Sequence, residues 1–247
     1  MIDLKCGDCL ELMQNLEDKS IDLILCDLPY GKTSCKWDNL IRFDLLWEQY
    51  KRIIKDNGCI CLFGTEPFSS YLRLSNIDWY KYDLYWVKEK PTNFLQLKKR
   101  FGKVTENICV FYNKQCTYNP QKFKVNYRVI NKPKIKNNSS EVAAKGFKNI
   151  KPYKDDGTRY PTDILKFNRE KLGTTVHEAQ KPVALLEYLI KSYTNEGDTV
   201  LDNCMGSGST GVACINSNRD FIGIEINEDY FNIAKTRCEE HLNAYKK

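Results

Sequence analysis

A chain of 247 residues can bury the core of one α/β domain and carry an insertion. Its composition, 42% hydrophobic and 28% charged, offers no apolar run near the ~18 residues of a membrane span and no basic-then-apolar leader at Met1-Ile2-Asp3-Leu4-Lys5, which excludes a membrane role and makes a cytoplasmic protein the expectation. The net charge of +6 is uneven: residues 98–151 hold fourteen Lys/Arg against two acids, Glu106 and Glu141, a net of +12 that leaves −6 for the rest, and a basic segment on an acidic body suggests a polyanionic partner.

In chain order, Met1 to Lys5 reads as a short strand, and Cys9 to Leu16 as a short helix with Leu12 and Leu16 on one face. Ile21-Asp22-Leu23-Ile24-Leu25 is a buried parallel strand that stops abruptly at Cys26-Asp27-Leu28-Pro29-Tyr30-Gly31. Pro29 cannot donate to a ladder and biases Leu28 towards extended backbone, so Asp27 and Tyr30 are presented on a stiff turn at the carboxyl end of a strand. That edge is where open α/β sheets bind ligands. Residues 31–41 have no period and read as a loop over the site, in which Trp37 makes a hydrophobic contact or, as the alternative, helps close the site.

Residues 43–56 place Leu46, Tyr50, Ile53 and Ile54 on one helical face, closed by Asn57-Gly58. Cys59-Ile60-Cys61-Leu62-Phe63 is a central strand ending at Gly64, residues 67–75 a helix with Pro67 in its first turn, and Trp79–Val87 and Glu106–Tyr112 two further strands. Residues 113–175 change character: Asn, Lys, Pro and Ser predominate, interleaved with aromatics such as Tyr118, Phe123 and Tyr160, and no buried helix or long strand is evident. Order returns at Lys181-Pro182 with a helix through Leu185, Leu186, Leu189 and Ile190. Then come a strand Asp198–Asp202, a glycine-rich turn, a helix Thr210–Ile215, a strand Phe221–Glu225 and a last helix from Glu228 to about Tyr245.

Eleven cysteines are scattered, and Cys26, Cys59, Cys61 and Cys109 lie inside apolar runs as small buried hydrophobes. Cys6-Gly7-Asp8-Cys9 has no second C-x-x-C to complete it and the chain has only two histidines, so no metal site is expected.

Gly206-Ser207-Gly208-Ser209-Thr210-Gly211 is a G-x-G-x-x-G between a strand and a helix, with the acid Glu225 at the end of the next strand. This is the setting of an adenosine-binding turn: backbone approaches the ligand at a helix N-terminus and the carboxylate accepts from ribose hydroxyls. Asp202, just before the turn, would oppose a pyrophosphate and favour an ammonium and a sulfonium, which tilts the cofactor from a nicotinamide dinucleotide to S-adenosylmethionine.

Asp27-Leu28-Pro29-Tyr30 resembles the D-P-P-Y catalytic motif of DNA amino-methyltransferases, and Asp202 to Thr210 resembles their cofactor motif. The order of the two motifs resembles the circularly permuted, beta-class enzymes. The resemblance implies a Rossmann-like, S-adenosylmethionine-dependent α/β fold, circularly permuted, over 1–115 and 176–247, with a loop-rich target-recognition insertion at 116–175. It implies catalytic roles for Asp27, Leu28, Pro29 and Tyr30, and cofactor contacts from Asp8, Lys181, Pro182, Asp202, Cys204, Gly206, Ser207, Gly208, Thr210 and Glu225. His177 to Pro182 resembles the segment beside the methionine end of the cofactor, and Trp86-Val87-Lys88 and Glu106 to Tyr112 resemble strands flanking the base pocket. Asn203 and Cys204 depart from the family's usual Pro and Phe, and Leu28 replaces a proline.

The resemblance further implies transfer of a methyl group to the exocyclic N6 of an adenine flipped out of double-stranded DNA. The Asp27 carboxylate and Leu28 carbonyl would accept the amino hydrogens, and Tyr30 would stack on the base. Asp27 either takes the released proton or only polarises the amine. Lys98, Lys99, Arg100, Lys122, Lys124 and Arg128 are candidates for contact with DNA phosphates. The chain would act as a monomer or homodimer, with a cognate restriction nuclease as a possible partner. Competing readings are a cytosine-N4, RNA or protein-amide methyltransferase, a catalytically inactive DNA-binding protein, and a nicotinamide oxidoreductase. If the methyltransferase reading holds, the strands ending at Asp27 and Asp202 are neighbours.

Overall fold

The computed structural model describes residues 1–31, 40–124, 157–169 and 180–245. They divide into two compact units, residues 1–119 with 163–247, and residues 120–162. In the first unit an eight-stranded sheet is formed among the described residues. Its strands are β1 (Ile2–Cys6), β2 (Ile21–Cys26), β3 (Ile54–Gly64), β4 (Tyr80–Val87), β5 (Thr105–Phe111), β8 (Ile164–Lys166), β9 (Thr199–Asp202) and β10 (Asp220–Glu225). The order across the sheet is β1-β10-β9-β2-β3-β5-β4-β8. β1, β10, β9, β2 and β3 run parallel, and β5 is antiparallel to both of its neighbours.

Helices α1 (Cys9–Met13), α2 (Phe43–Ile53) and α3 (Phe68–Ser75) supply one apolar layer, and α4 (Val183–Tyr193), α5 (Ser209–Asn216) and α6 (Glu228–Tyr245) the other. The central strands are buried on both sides, so they read as continuous apolar runs whose residues alternate between layers. Ile24 and Cys26 of β2 pack with Leu46, Tyr50 and Ile53, whereas Leu23 and Leu25 pack with Leu185, Leu189 and Val200. Each such fully buried leucine or isoleucine contributes about 1.5–3 kcal/mol from transfer alone. Cys26, Cys59, Cys61 and Cys109 are small members of these layers. At the amino end of the sheet the buried Asp22 joins three strands: its Oδ2 accepts from Lys55 Nζ at 2.7 Å and from the Thr199 backbone N–H at 2.9 Å.

Two expectations need correction. The helix expected over 43–56 ends at Ile53, and the following strand starts at once, at Ile54. Asn57-Gly58 therefore lies inside β3, where the register against β2 slips between Ile21↔Ile54 and Leu23↔Cys59, a local bulge that replaces the expected turn. Inside the loop-rich span 113–175, Ile164–Lys166 pairs in parallel with Tyr85–Val87 as an edge strand, with Leu165 buried. Three residues are too few to show a period, so only the sheet edge reveals them. The second unit contains the short antiparallel pair β6 (Phe123–Lys124) and β7 (Thr158–Arg159). Among the described residues no helix is long and apolar enough to cross a membrane.

Candidate active site

β2 pairs directly with β9, Ile24 opposite Leu201, although these strands come from opposite ends of the chain. The turns that follow them open on one cavity of about 560 Å³ at the carboxyl edge of the parallel strands. One side is built after β2 from Asp27, Leu28, Pro29 and Tyr30, and the other after β9 from Asp202, Cys204, Gly206, Ser207 and Thr210, with Asp8, Lys181 and Glu225 completing the wall.

The glycine turn is held by carboxylates. Asp202 Oδ2 accepts from the Thr210 hydroxyl at 2.6 Å and Oδ1 from the Cys204 N–H at 3.1 Å. Burial pushes its carboxyl up to about 6, in spite of these donors. Glu225 Oε2 accepts from the Gly206 N–H at 2.9 Å and Oε1 from the Asn227 N–H at 2.8 Å, and burial raises it as well. Gly206 sits at φ +51°, in the left-handed region, with no atom within 4 Å of where a Cβ would stand, so bare backbone lines the cavity there. Gly208, at φ +79°, does a different job: a Cβ would meet the Ala234 Cβ at 2.9 Å, so this glycine lets α6 close on the turn. It is absent from the cavity wall, as is Pro182, which stands at the N-cap position of α4. Cofactor contacts are expected from both; here Gly208 packs against α6 and Pro182 directly precedes α4. Asp8 lines the cavity while capping α1, accepting from the Leu10 N–H at 2.8 Å.

The other side is a compact set of charges. The Tyr30 hydroxyl donates to Asp27 Oδ1 at 2.5 Å, and Lys181 Nζ contacts Asp27 Oδ2. Lys181 also lies 3.1 Å from Glu106 Oε1, and Lys88 donates to Glu106 Oε2 at 2.6 Å. Burial alone would raise Glu106, but the ammonium groups of Lys181 and Lys88 bring it down to about 2. For Lys181, burial opposes the charged form, yet Asp27 and Glu106 outweigh it and hold the ammonium above its ordinary range. Burial, followed by the charges of Asp27 and Glu106, raises the Tyr30 phenol, so the hydroxyl keeps its proton and remains a donor. The Tyr30 ring packs on Phe68 at 4.8 Å, and the Lys181 ammonium lies 5.1 Å from the Phe63 ring centre.

Residues 21–236 match the DNA methylase family. The chain belongs to that family. It is 28% identical to the Type II methyltransferase M.HpaI of Haemophilus parainfluenzae over 98% of this chain and 76% of that one. It is 27% identical to the DNA adenine methyltransferase YhdJ of Escherichia coli K12 over 96% and 83%. Among solved structures it resembles the complex of M1.HpyAVI with SAM, with TM-score 0.64 and 29% identity, covering 96% of this chain and 98% of that one. The cytosine-N4-specific PvuII DNA methyltransferase, at 16% identity and TM-score 0.69 over 99% of this chain and 91% of that one, shares the fold.

Two residues that depart from the usual methylase motif have evident roles. Asn203 is buried and accepts from the Tyr50 hydroxyl at 2.5 Å, which ties the turn to α2. Cys204 is half-buried and lines the cavity. Glu106 and Lys88 were expected only as parts of flanking strands, and the structure makes them members of the charge cluster. An acid at the head of an otherwise apolar strand was the available sign in the sequence. Of the residues expected at DNA, Lys98, Lys99 and Arg100 are exposed on the loop between β4 and β5. In the second unit Lys122 lies over the Tyr160 ring at 4.4 Å and Lys124 is exposed in β6. Arg128, Trp37 and His177 lie outside the described residues.

Proposed function

We propose that this DNA methylase transfers the methyl group of S-adenosylmethionine to the exocyclic N6 of an adenine flipped out of duplex DNA. The reading rests on one observation above the rest: the Asp27 turn and the glycine turn, joined through the β2–β9 pair, face one cavity. The cavity suits the cofactor. Bare backbone at Gly206 leaves room for close approach, and the acids Asp8, Asp202 and Glu225 suit an ammonium, a sulfonium and ribose hydroxyls. A carboxylate oxygen that accepts one backbone hydrogen retains a second lone pair, so Asp202 and Glu225 can hold the turn and a ligand together.

The cofactor supplies an electrophilic methyl group, and the chain's residues make the amine able to attack it. The lone pair of an adenine amine is delocalised into the ring. Acceptors on its two hydrogens, the Asp27 carboxylate and the Leu28 carbonyl, return density to nitrogen. Tyr30 and Lys181 already occupy Asp27, so an incoming amine either uses a remaining lone pair or displaces one of them. As the N–C bond forms and the C–S bond breaks, one amino proton leaves, to Asp27 or to solvent. Holding the partners in line supplies much of the acceleration.

Asp at position 27 resembles the adenine enzymes, and the DNA adenine methyltransferase among the relatives supports the same base. The position of the Asp27 motif ahead of the glycine turn supports a circularly permuted order of parts, with residues 116–175 as the target-recognition region. The test is methyl transfer from labelled S-adenosylmethionine to unmethylated genomic DNA, followed by nucleoside analysis. N6-methyladenine is expected. N4-methylcytosine would overturn the choice of base, and no transfer would overturn the reading.

A further inference from the structure

The loop between β4 and β5 is built in an unusual way for the surface of a folded protein. Phe101 is 99% exposed and Leu95 85%, and Phe94 and Leu97 beside them are exposed as well. These side chains are not the product of a frayed segment. Lys88 donates from its backbone to the Val104 carbonyl at 2.8 Å and Thr92 to the Lys103 carbonyl at 2.9 Å. Asn93 clamps the loop from within: its Oδ1 accepts from the Lys103 N–H at 2.6 Å and its Nδ2 donates to the Phe101 carbonyl at 3.0 Å. The Gln96 carbonyl accepts from the N–H groups of Lys99 and Arg100 at 2.8 and 3.0 Å. An ordered backbone thus holds large apolar groups in water, a placement that folding alone does not favour.

Charge indicates what covers them. Residues 90–105 contain five cations and no acid. A second copy of the same basic loop would be repelled, whereas a polyanion with apolar faces between its charges is complementary on both counts. Stacked bases between phosphates have that character. The position agrees. β5 begins beside the end of β3, Gly64 opposite Asn107, and the loop closes where Val87 pairs with Thr105. It therefore stands at the same sheet edge as the Asp27 turn, one residue from Glu106, which contacts Lys181.

We infer that this loop is an insertion element, in which Phe101 and Leu95 enter the duplex and stack on bases near the target while Lys98, Lys99 and Arg100 grip the flanking phosphates. The inference rests on the methyltransferase reading above and adds to it the group that opens the base stack. Apolar wedges of this kind unstack a base step, which lowers the cost of taking a base out of the helix.

The test uses the full chain and a non-specific duplex at several salt concentrations. Phe101→Ala/Leu95→Ala is expected to weaken duplex binding about tenfold or more at every salt concentration, leaving the slope of log affinity against log salt unchanged. Lys98→Ala/Lys99→Ala/Arg100→Ala is expected to reduce that slope by about 2–3. Phe101→Trp should restore most of what Phe101→Ala loses. Transfer to genomic duplex should fall in the apolar double variant, while transfer to the same DNA heat-denatured falls far less. Wild-type affinity and duplex transfer in that variant would overturn the inference, and so would a change in its sedimentation without a change in DNA binding, which would mark a surface between protein copies. Wild-type transfer to genomic DNA in the same preparation separates this failure from failure of the methyltransferase reading itself.

Discussion

On the side of the cavity built after β2, Asp27 faces the ammonium of Lys181, behind which Glu106 binds Lys181 and Lys88; on the side built after β9, Asp202 and Glu225 face backbone N–H groups and a hydroxyl. Both arrangements satisfy buried carboxylates, but they leave different fields behind. Two acids and two cations make the first cluster formally neutral, as suits an uncharged base. The second has acids without cationic partners among the contacts above, and burial raises both, as suits a cationic ligand that completes their neutralisation. One cavity can then hold two chemically unlike partners side by side without exchanging their places.

Asp27→Ala breaks the contrast most severely. It removes the carboxylate meant for the amine and leaves the glycine turn intact. Transfer should fall by about 10³-fold or more, within the range for a positioned proton-handling group, while calorimetric titration still shows normal S-adenosylmethionine binding. Normal turnover in this variant would discard the mechanism.

Lys181→Met comes next. It leaves Asp27 and Glu106 close together with Lys88 as the remaining ammonium, and a buried ion pair broken on one side typically costs about 3–5 kcal/mol. The urea midpoint should drop accordingly, and adding Glu106→Gln should recover part of the loss. An unchanged midpoint would show that the cluster is not coupled in this way.

The two sides should also answer pH with opposite signs. Glu106 is held near 2 in the folded protein against an ordinary 4.5. Its contribution, about 3 kcal/mol, is present above pH 4.5 and is lost as pH falls towards 2. Asp202 is raised from 3.8 to about 6, so the folded protein keeps its proton longer than the unfolded chain does. Its contribution is present below about pH 3.8 and is lost as pH rises through 6, also about 3 kcal/mol. Urea unfolding across pH 2–7 should show a shallower acid limb for Glu106→Gln and a weaker decline between pH 4 and 6 for Asp202→Asn. Matching profiles for both variants and the wild type would refute the assignment.

The smallest effect is expected at Thr210→Val, which removes the hydroxyl from Asp202 and keeps the shape. A loss of about 1–2 kcal/mol in thermal unfolding is expected, with weaker cofactor binding because the turn loses a tie. A stability equal to wild type would show that the hydroxyl does not hold the carboxylate.

Much of this arrangement is legible in the sequence. Apolar runs of strand length, the stop at Asp27-Leu28-Pro29-Tyr30 and the glycine turn after Asp202 each follow from local rules, because proline, glycine and β-branched residues restrict a few neighbouring dihedrals. The edge strand Ile164–Lys166 escaped because its pattern is too short. The bulge at Asn57-Gly58 escaped because a turn and a bulge use the same residue types. That Gly208 also lets α6 close on the turn escaped because the contact with Ala234 joins distant positions.

Sequence by itself determined which residues could perform the chemistry: an acid and an aromatic on a stiff turn, and a glycine-rich turn flanked by acids. Only the tertiary structure decided their company. Lys181 reaches Asp27 across 154 positions of sequence, and Glu106 reaches Tyr30 across 76. Such pairings depend on strand order and register, which bring distant segments to one sheet edge, and the charge state of a buried carboxylate depends on which donors that order places beside it.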